Sequence, residues 1–105
     1  MTKIEPILKE LHKGLQGIYG FRLKGIFLFG SYARGETDEN SDIDVALVLD
    51  DFDYAGEEIS RSSELVAEIC LKHDCLISVV PIREKDWQKR RSPLLLNIRK
   101  EGVAI

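Results

Sequence analysis

The sequence predicts one α/β domain in which helices flank a mixed β-sheet. Three short runs of branched apolar residues, 25–29, 45–49 and 75–80, have the length and composition of buried strands. Amphipathic segments lie before, between and after these runs and predict helices. Only a short polar segment links the first two strands, which favours an antiparallel pair. A long helical segment precedes the third strand, so the sheet is expected to be mixed.

Two long amphipathic segments predict the main helices. The first covers residues 1–19 and is expected to end at Gly20. Its apolar face consists of Ile4, Ile7, Leu8, Leu11, Leu15 and Ile18. The second covers residues 54–73, where Ser62 and Ser63 interrupt the apolar stripe. That stripe consists of Ile59, Leu65, Val66, Ile69 and Cys70. Both helices are expected to bury these faces in the core.

The last third of the chain predicts a strand and two shorter helices. Pro81 is expected to end the third strand, because proline has no N–H for the hydrogen-bond ladder. Residues 83–91 predict a basic helix, either a solvated face or a contact for a partner or RNA anchored by Trp87. Ser92 followed by Pro93 is the cap and first-turn pattern that begins a last helix.

Size, charge and composition limit the function classes. A chain of 105 residues predicts a single domain spanning 1–105. The formal charge of −3 gives no basic field, so broad nucleic-acid binding is not expected. No apolar run approaches a membrane span or a signal-peptide core, which favours a cytoplasmic location without membrane binding. Cys70 and Cys75 are expected to be reduced core thiols. The leucine-rich segment 94–98 predicts an interface with a partner or a second copy.

Two aspartates mark the start of the second strand. Asp42 and Asp44 are one residue apart, and side chains two positions apart on a strand share a face. Two carboxylates held this close repel each other unless a cation lies between them. Mg²⁺ commonly binds one or two carboxylates together with substrate phosphates. The pair therefore predicts either a metal site open to a phosphate ligand or, on the simpler interpretation, a solvated strand entrance.

A calcium loop is a second interpretation of the same region. Asp38, Asn40 and Asp42 have the spacing with which such a loop opens. Ile43 stands where the loop requires its turn glycine, and Leu49 stands where it requires a closing glutamate. The sequence therefore argues against calcium.

A Gly-Ser turn follows the first strand. Gly30 would let a phosphate approach the backbone closely, and Ser31 could donate a hydrogen bond to it. Residues 32–34 are long enough for about one helical turn, and Arg34 could bind phosphate with its guanidinium fork. The spacing and the lysine of a P-loop are absent. Because sequential strands are usually neighbours, this turn and the aspartate pair are expected to meet.

The combined pattern resembles a known family. Gly30 and Ser31, ten intervening residues, then Asp42 and Asp44 match the Gly-Ser-x10-Asp-x-Asp signature of the minimal nucleotidyltransferases, members of the DNA polymerase β superfamily. The resemblance implies a small nucleotidyltransferase fold and Mg²⁺-dependent transfer of a nucleoside monophosphate, AMP from ATP or its equivalent from another NTP, to a hydroxyl. It also implies that Gly30 and Ser31 hold the triphosphate, while Asp42 and Asp44 bind the metals as catalytic residues.

One position departs from the family pattern. The family has a third carboxylate on a later strand, and the matching position here is Ser78. Asp74 has the right parity but lies four residues early. Serine is a poor metal ligand and no base at neutral pH.

The sequence therefore leaves three functional hypotheses. The first is a transferase acting on a protein or small acceptor; the resemblance implies a small helical HEPN-type partner, with this chain as the antitoxin of a toxin–antitoxin pair. The second is a catalytically silent module that neutralises a partner by contact. The third is a sensor that binds NTP and Mg²⁺ without turnover.

Overall fold

The computed structural model describes residues 4–36, 41–89 and 91–105. In chain order its elements are α1 (Glu5–Tyr19), a 3₁₀ turn (Gly20–Arg22), β1 (Leu23–Phe29), α2 (Ser31–Arg34), β2 (Ile43–Leu49), α3 (Ala55–His73), β3 (Ile77–Arg83), α4 (Glu84–Lys89), α5 (Pro93–Glu101) and β4 (Val103–Ala104). None of the helices within these ranges is long and apolar enough to cross a membrane.

The sheet is mixed, as the sequence predicted. Its strand order is β3-β2-β1-β4. Strand β1 is antiparallel to both β2 and β4, whereas β2 and β3 are parallel. Asp44 is the partner of Phe29 on one side and of Ser78 on the other. The end of β1 and the starts of β2 and β3 therefore lie at the same edge of the sheet.

Apolar cores cover both faces of the sheet. Odd-numbered residues of β2 pack with α1 and α3, and even-numbered residues pack with Trp87 of α4 and with α5. Leu47 and Leu49 are fully buried on the first face, and Ala46 on the second. Each fully buried Leu or Val side chain stabilises the fold by roughly 1.5–3 kcal/mol. Asp44 has the parity of Ala46, which assigns it to the α5 face of the sheet.

Helix α1 follows the predicted pattern except near its two ends. It begins at Glu5, with Pro6 in its first turn, and residues 1–3 of the predicted helix lie outside the described ranges. Ile18, predicted to belong to the apolar face, is 37% exposed, and Tyr19 is buried instead at 4%. Gly20 ends the helix with φ of 54°, a left-handed backbone that suits glycine.

The residues predicted to form the apolar stripe of α3 were partly wrong. Ser62, expected to interrupt it, is 1% exposed, and its hydroxyl donates to the Glu58 carbonyl at 3.2 Å. Ile59, expected to belong to it, is 46% exposed. The hydroxyl can be buried because the helix backbone satisfies it, and Ile59 points away from the core. Ile69 is buried as predicted.

Strand β3 continues through Pro81, so the prediction that proline ends it was wrong. The amide of Ile43 donates to the Leu76 carbonyl at 2.8 Å. This bond shows that, in the parallel ladder, the N–H and C=O groups of even-numbered β3 residues point toward β2. The N–H and C=O groups of odd-numbered β3 residues therefore point away from the sheet. Pro81 therefore lacks an N–H that would have faced away from the sheet, which an edge strand tolerates.

The C-terminal third contains one strand that the sequence did not predict. Ser92 caps α5 by accepting from the Leu95 amide at 3.3 Å, as predicted. After α5 the short strand β4 pairs with β1. Trp87, considered as a partner anchor, stacks on Phe27 with ring centroids 4.6 Å apart and is half-buried. Its packing is therefore explained within the domain.

The two cysteines are free thiols, as expected, but they are half-buried rather than fully in the core, and Cys75 packs against the core cluster between the sheet, α1 and α3. The Cys75 amide donates to the Cys70 carbonyl at 3.1 Å where α3 ends. Burial, reinforced by the Cys70 thiol, raises the pKa of Cys75 to about 11. Cys75 is therefore overwhelmingly protonated at neutral pH and is a poor nucleophile.

Two arginines hold the loop that links β2 to α3. Arg22 donates to the Asp51 carbonyl at 2.9 Å and pairs with the Asp50 carboxylate at 3.3 Å. Arg83 donates to the carbonyls of Phe52 at 2.8 Å and Asp53 at 3.1 Å, and its guanidinium lies 4.9 Å from the Phe52 ring centroid. Phe52 packs on the core. This end of the sheet lies opposite to the end where β2 and β3 begin. We call it the clamp end; it is formed by Arg22, Arg83 and residues 50–53.

Candidate functional site

The end of β1 and the start of β2 are in close contact at Gly30. This glycine has φ of 75° and immediately precedes the short helix α2. A side-chain carbon added there would overlap the Asp44 Oδ2 atom. Both the backbone conformation and the space therefore require glycine. The sequence predicted that the Gly-Ser turn and the aspartate pair would meet, and the structure brings them together.

The two aspartates have different environments. Asp44 is the second residue of β2 and is half-buried, whereas Asp42 is exposed and lies one residue before the strand begins. Burial raises the pKa of Asp44, the negative charge of Asp42 raises it further, and Arg34 opposes both. The two carboxylates and the guanidinium are therefore close enough to interact electrostatically. We call the group Gly30, Ser31, Arg34, Asp42 and Asp44 the site end of the sheet.

The donor chemistry of this pair fits a hard cation. Neither Asp42 nor Asp44 forms a hydrogen bond or ion pair with a residue in the described ranges. No group of three or more His, Cys, Asp or Glu side chains suited to a metal occurs there either. Two like charges without a paired cation favour a bound cation. Two carboxylates are what Mg²⁺ takes from a protein when substrate phosphates complete its shell.

Helix α2 is the single turn that the sequence predicted after Gly30. The Arg34 amide donates to the Gly30 carbonyl at 3.1 Å, and the Glu36 amide donates to the Ser31 carbonyl at 2.9 Å. Gly35 closes the turn with φ of 73°. Ser31 is the first helical residue and is half-buried, next to the glycine that contacts Asp44.

Arg34 is held by two carboxylates that the sequence analysis did not identify. Its Nε donates to Glu36 at 3.0 Å and its Nη1 donates to Glu101 at 3.1 Å. Hydrogen bonds to Glu36 and then Glu101 are the main causes that raise the pKa of Arg34. Glu36 could have been suspected because it is two residues from Arg34, but Glu101 is 67 residues away, at the end of α5, and only the tertiary fold brings it to Arg34.

Ser78 lies beside Asp44 on the neighbouring strand. The two are register partners in the parallel β2–β3 pair, and in such a pair their side chains share a face. The Ser78 residue is exposed. Asp74, the nearest carboxylate before it in sequence, ends α3 in a left-handed conformation with φ of 51° and lies outside β3. Asp38 and Asn40 of the calcium-loop interpretation lie outside the described ranges.

Comparison with known proteins gives a family match over most of the chain. The family described as nucleotidyltransferase domain matches residues 1–100. A Methanocaldococcus jannaschii protein named "putative protein adenylyltransferase" is 38% identical over 87 residues, which are 82% of this chain and 80% of that protein.

Solved structures give the same fold. A chain from a toxin–antitoxin crystal structure with AMP-PNP has a TM-score of 0.66 and 25% identity, covering 91% of this chain and 69% of that one. A chain from the complex of tri-AMPylated Shewanella oneidensis HEPN toxin with MNT antitoxin has a TM-score of 0.53 and 20% identity, over 93% of this chain and 70% of that one. The family match spans nearly the whole sequence, and this chain belongs to the nucleotidyltransferase domain family.

Proposed function

We propose that this chain transfers AMP from ATP to a hydroxyl group, with Mg²⁺ bound by Asp42 and Asp44. The observation that carries the proposal is the contact of Gly30 with Asp44, which joins a phosphate-type turn to a carboxylate pair with no room for a side chain between them. Family membership supports nucleotidyl transfer, and the adenylyltransferase name of the M. jannaschii relative supports AMP as the transferred group.

Each residue of the site end has a distinct role in this proposal. Gly30 and Ser31 bind the triphosphate through backbone N–H groups and the hydroxyl. Arg34 binds a phosphate oxygen through its guanidinium. Asp42 and Asp44 hold the metal, which when bound supplies the positive charge that neutralises the transferring phosphoryl group. The acceptor oxygen bonds to the α-phosphorus, its proton is released, and the bond to pyrophosphate breaks.

We further propose that the acceptor lies on a small helical HEPN-type partner and that the pair is a toxin–antitoxin system. The support is the fold likeness to a chain crystallised in a toxin–antitoxin complex with AMP-PNP. The AMPylated HEPN toxin named in the second complex is the kind of product that the proposed reaction would give. A domain this small, with a radius of gyration of 13.1 Å, offers little space for an acceptor pocket of its own.

A second candidate function is a binding module without turnover. It is favoured by Ser78, which lies beside Asp44 where the family pattern has a third carboxylate. A hydroxyl cannot act as a base at neutral pH. On this interpretation the site binds NTP and Mg²⁺, or neither, and the partner is neutralised by contact alone.

The first test is calorimetric titration of ATP into the protein with Mg²⁺ and with EDTA. We expect binding with Mg²⁺, and a loss of at least about 100-fold in affinity in Asp42→Asn/Asp44→Asn, because the metal clamp is worth several kcal/mol. Asp50→Asn/Asp51→Asn at the clamp end is the matched control and should keep wild-type affinity. Equal affinity in all three proteins would contradict the proposed metal site.

The second test separates transfer from binding. Labelled ATP is incubated with the protein and its co-expressed partner, and AMP incorporation is measured. We expect Ser78→Asp to raise the transfer rate at least about tenfold, because a general base contributes 10² or more, whereas Ser78→Ala leaves it unchanged. No transfer by wild type or by Ser78→Asp, together with partner binding that survives Asp44→Asn, would favour the contact-only module.

A further inference from the structure

We propose that Glu101 is a positioning residue that fixes the Arg34 guanidinium beside the aspartate pair and leaves its Nη2 group for a substrate phosphate. This inference rests on the proposed function, because it assigns Arg34 to the phosphates of the nucleotide. It adds a residue from the far C-terminal part of the described chain to a site otherwise built from residues 30–44.

The contacts of Arg34 leave one nitrogen available. Glu36 accepts from Nε and Glu101 accepts from Nη1, so the carboxylates engage two of the three guanidinium nitrogens. Nη2 forms no hydrogen bond with any residue in ranges 4–36, 41–89 or 91–105. A free arginine side chain has about 2 kcal/mol of rotamer entropy to lose on binding. The two carboxylates fix the fork before the ligand arrives, which removes part of that cost.

The fold holds Glu101 more firmly than Glu36. Glu101 is the last residue of α5, which is anchored by Ile98 at 1% exposure. The Gly102 amide donates to the Ile98 carbonyl at 2.7 Å, and β4 then pairs Val103 with Leu28. The side chain of Glu101 is 32% exposed, whereas that of Glu36 is 68% exposed. Glu36 forms the slightly shorter hydrogen bond, but Glu101 is the more rigidly placed of the two carboxylates.

The anchor also keeps Arg34 from neutralising the aspartates. Arg34 is close enough to Asp44 to lower its pKa, yet neither Asp42 nor Asp44 forms an ion pair with it. Without its two partners the flexible guanidinium would be attracted to the Asp42 and Asp44 carboxylates. It would then compete with a cation for their oxygens. Glu101 thus supports phosphate binding and metal binding through the same contact.

The test is a double-mutant cycle read by calorimetry of ATP with Mg²⁺. We expect Glu101→Gln to weaken binding roughly 5- to 30-fold, because a charge-assisted hydrogen bond is lost from the fork. Glu36→Gln, the matched control, should weaken it less than about threefold. In the Arg34→Ala background Glu101→Gln should cause no further loss, because Glu101 acts through Arg34. A loss that persists in Arg34→Ala, or tighter binding in Glu101→Gln, would overturn the inference.

A second measurement separates failure of this inference from failure of the proposed function. Solvent exchange of the Arg34 Nη1–H protons, the ones that face Glu101, is followed by NMR in the free protein, where no nucleotide is needed. We expect exchange to accelerate several-fold in Glu101→Gln, and equal rates in the two proteins would refute the anchor. If wild type does not bind ATP, the proposed function fails, and with it the assignment of Nη2 to phosphate, while the exchange rates still decide whether Glu101 holds Arg34.

Discussion

The two ends of the β1–β2 pair differ in whether their charged side chains are paired. At the clamp end, Arg22 and Arg83 pair with carboxylates and backbone carbonyls of the loop that follows β2. At the site end, Asp42 and Asp44 have no paired cation among the described residues, and the nearby Arg34 is engaged by Glu36 and Glu101 instead. The pKa values follow this contrast: that of Asp44 is raised, whereas hydrogen bonding to the Asp51 amide lowers that of Asp50.

The difference separates stabilising charges from charges that await a ligand. Asp50 is ionised in a structure that already satisfies it, so its charge contributes to folding. Burial and the charge of Asp42 both raise the pKa of Asp44, so ionising this carboxyl costs stability until a cation binds. A rigid scaffold with satisfied charges at one end of the strand pair and unsatisfied charges at the other end is what a binding site requires.

The largest expected effect comes from adding a side chain at Gly30, where the structure has no room for one. We expect Gly30→Ala to lower the free energy of unfolding by about 1–3 kcal/mol and to lower the affinity for ATP with Mg²⁺ at least about 100-fold, because the new side chain displaces Asp44. Gly35→Ala is the matched control, since Gly35 has a similar φ of 73° but an added carbon meets nothing within 4 Å. Urea unfolding and calorimetry measure both; equal loss of ATP binding in the two variants would contradict a role for the Gly30–Asp44 contact.

The next test compares an arginine variant at the clamp end with an arginine variant at the site end, measuring stability and ATP binding for both. We expect Arg83→Ala to lower the free energy of unfolding by about 1–3 kcal/mol, because the carbonyls of Phe52 and Asp53 each lose a hydrogen bond worth about 0.5–1.5 kcal/mol, and to leave ATP binding unchanged. Arg34→Ala should do the reverse, with a stability loss within about 1 kcal/mol, as for exposed ion pairs, and clearly weaker ATP binding. Chemical denaturation and calorimetry on the two variants suffice. Similar effects of both substitutions on both quantities would refute the division into two ends.

The smallest expected effect is a difference in sign between two aspartates. In EDTA at pH 7, Asp44→Asn should raise Tm by about 2–5 °C, whereas Asp50→Asn should lower it. Because the pKa of Asp44 is raised, its ionisation destabilises the fold as pH rises from about 3.8, so the gain should vanish near pH 3. Because the pKa of Asp50 is lowered, its contribution is present above about 3.8 and is lost as pH falls through the folded pKa. Thermal melts at both pH values check this, and two shifts of the same sign at pH 7 would contradict it.

Local signals carried the predictions that succeeded. The turn at Gly30, the helical turn after it and the start of β2 near Asp44 lie within fifteen residues, and their spacing was enough to predict that they meet. The family resemblance pointed to Ser78 as the position of the third carboxylate, and the β2–β3 register places Ser78 beside Asp44. Short-range sequence pattern therefore predicted that the turn and the aspartate pair lie together and that the sheet is mixed.

The predictions that failed depended on tertiary context. Strand β4 has only two residues, too few for a periodic pattern. Tyr19 rather than Ile18 is buried because its hydroxyl reaches the Glu58 carbonyl at 3.2 Å, a partner that the sequence alone does not reveal. The prediction for Pro81 was wrong because a strand accepts proline only where the missing N–H would point away from the neighbouring strand. That depends on the strand order, which the sequence alone does not reveal.

That outward-facing Pro81 also affects how this chain meets other chains. Strand β3 is the edge of the described sheet beyond β2, and its outward backbone groups would otherwise form a template for an additional strand. Proline removes one donor from the middle of that row and fills its place with a ring, so cross-strand aggregation along this edge is disfavoured. A protein that binds on this side of the domain would therefore have to recognise side chains rather than extend the sheet.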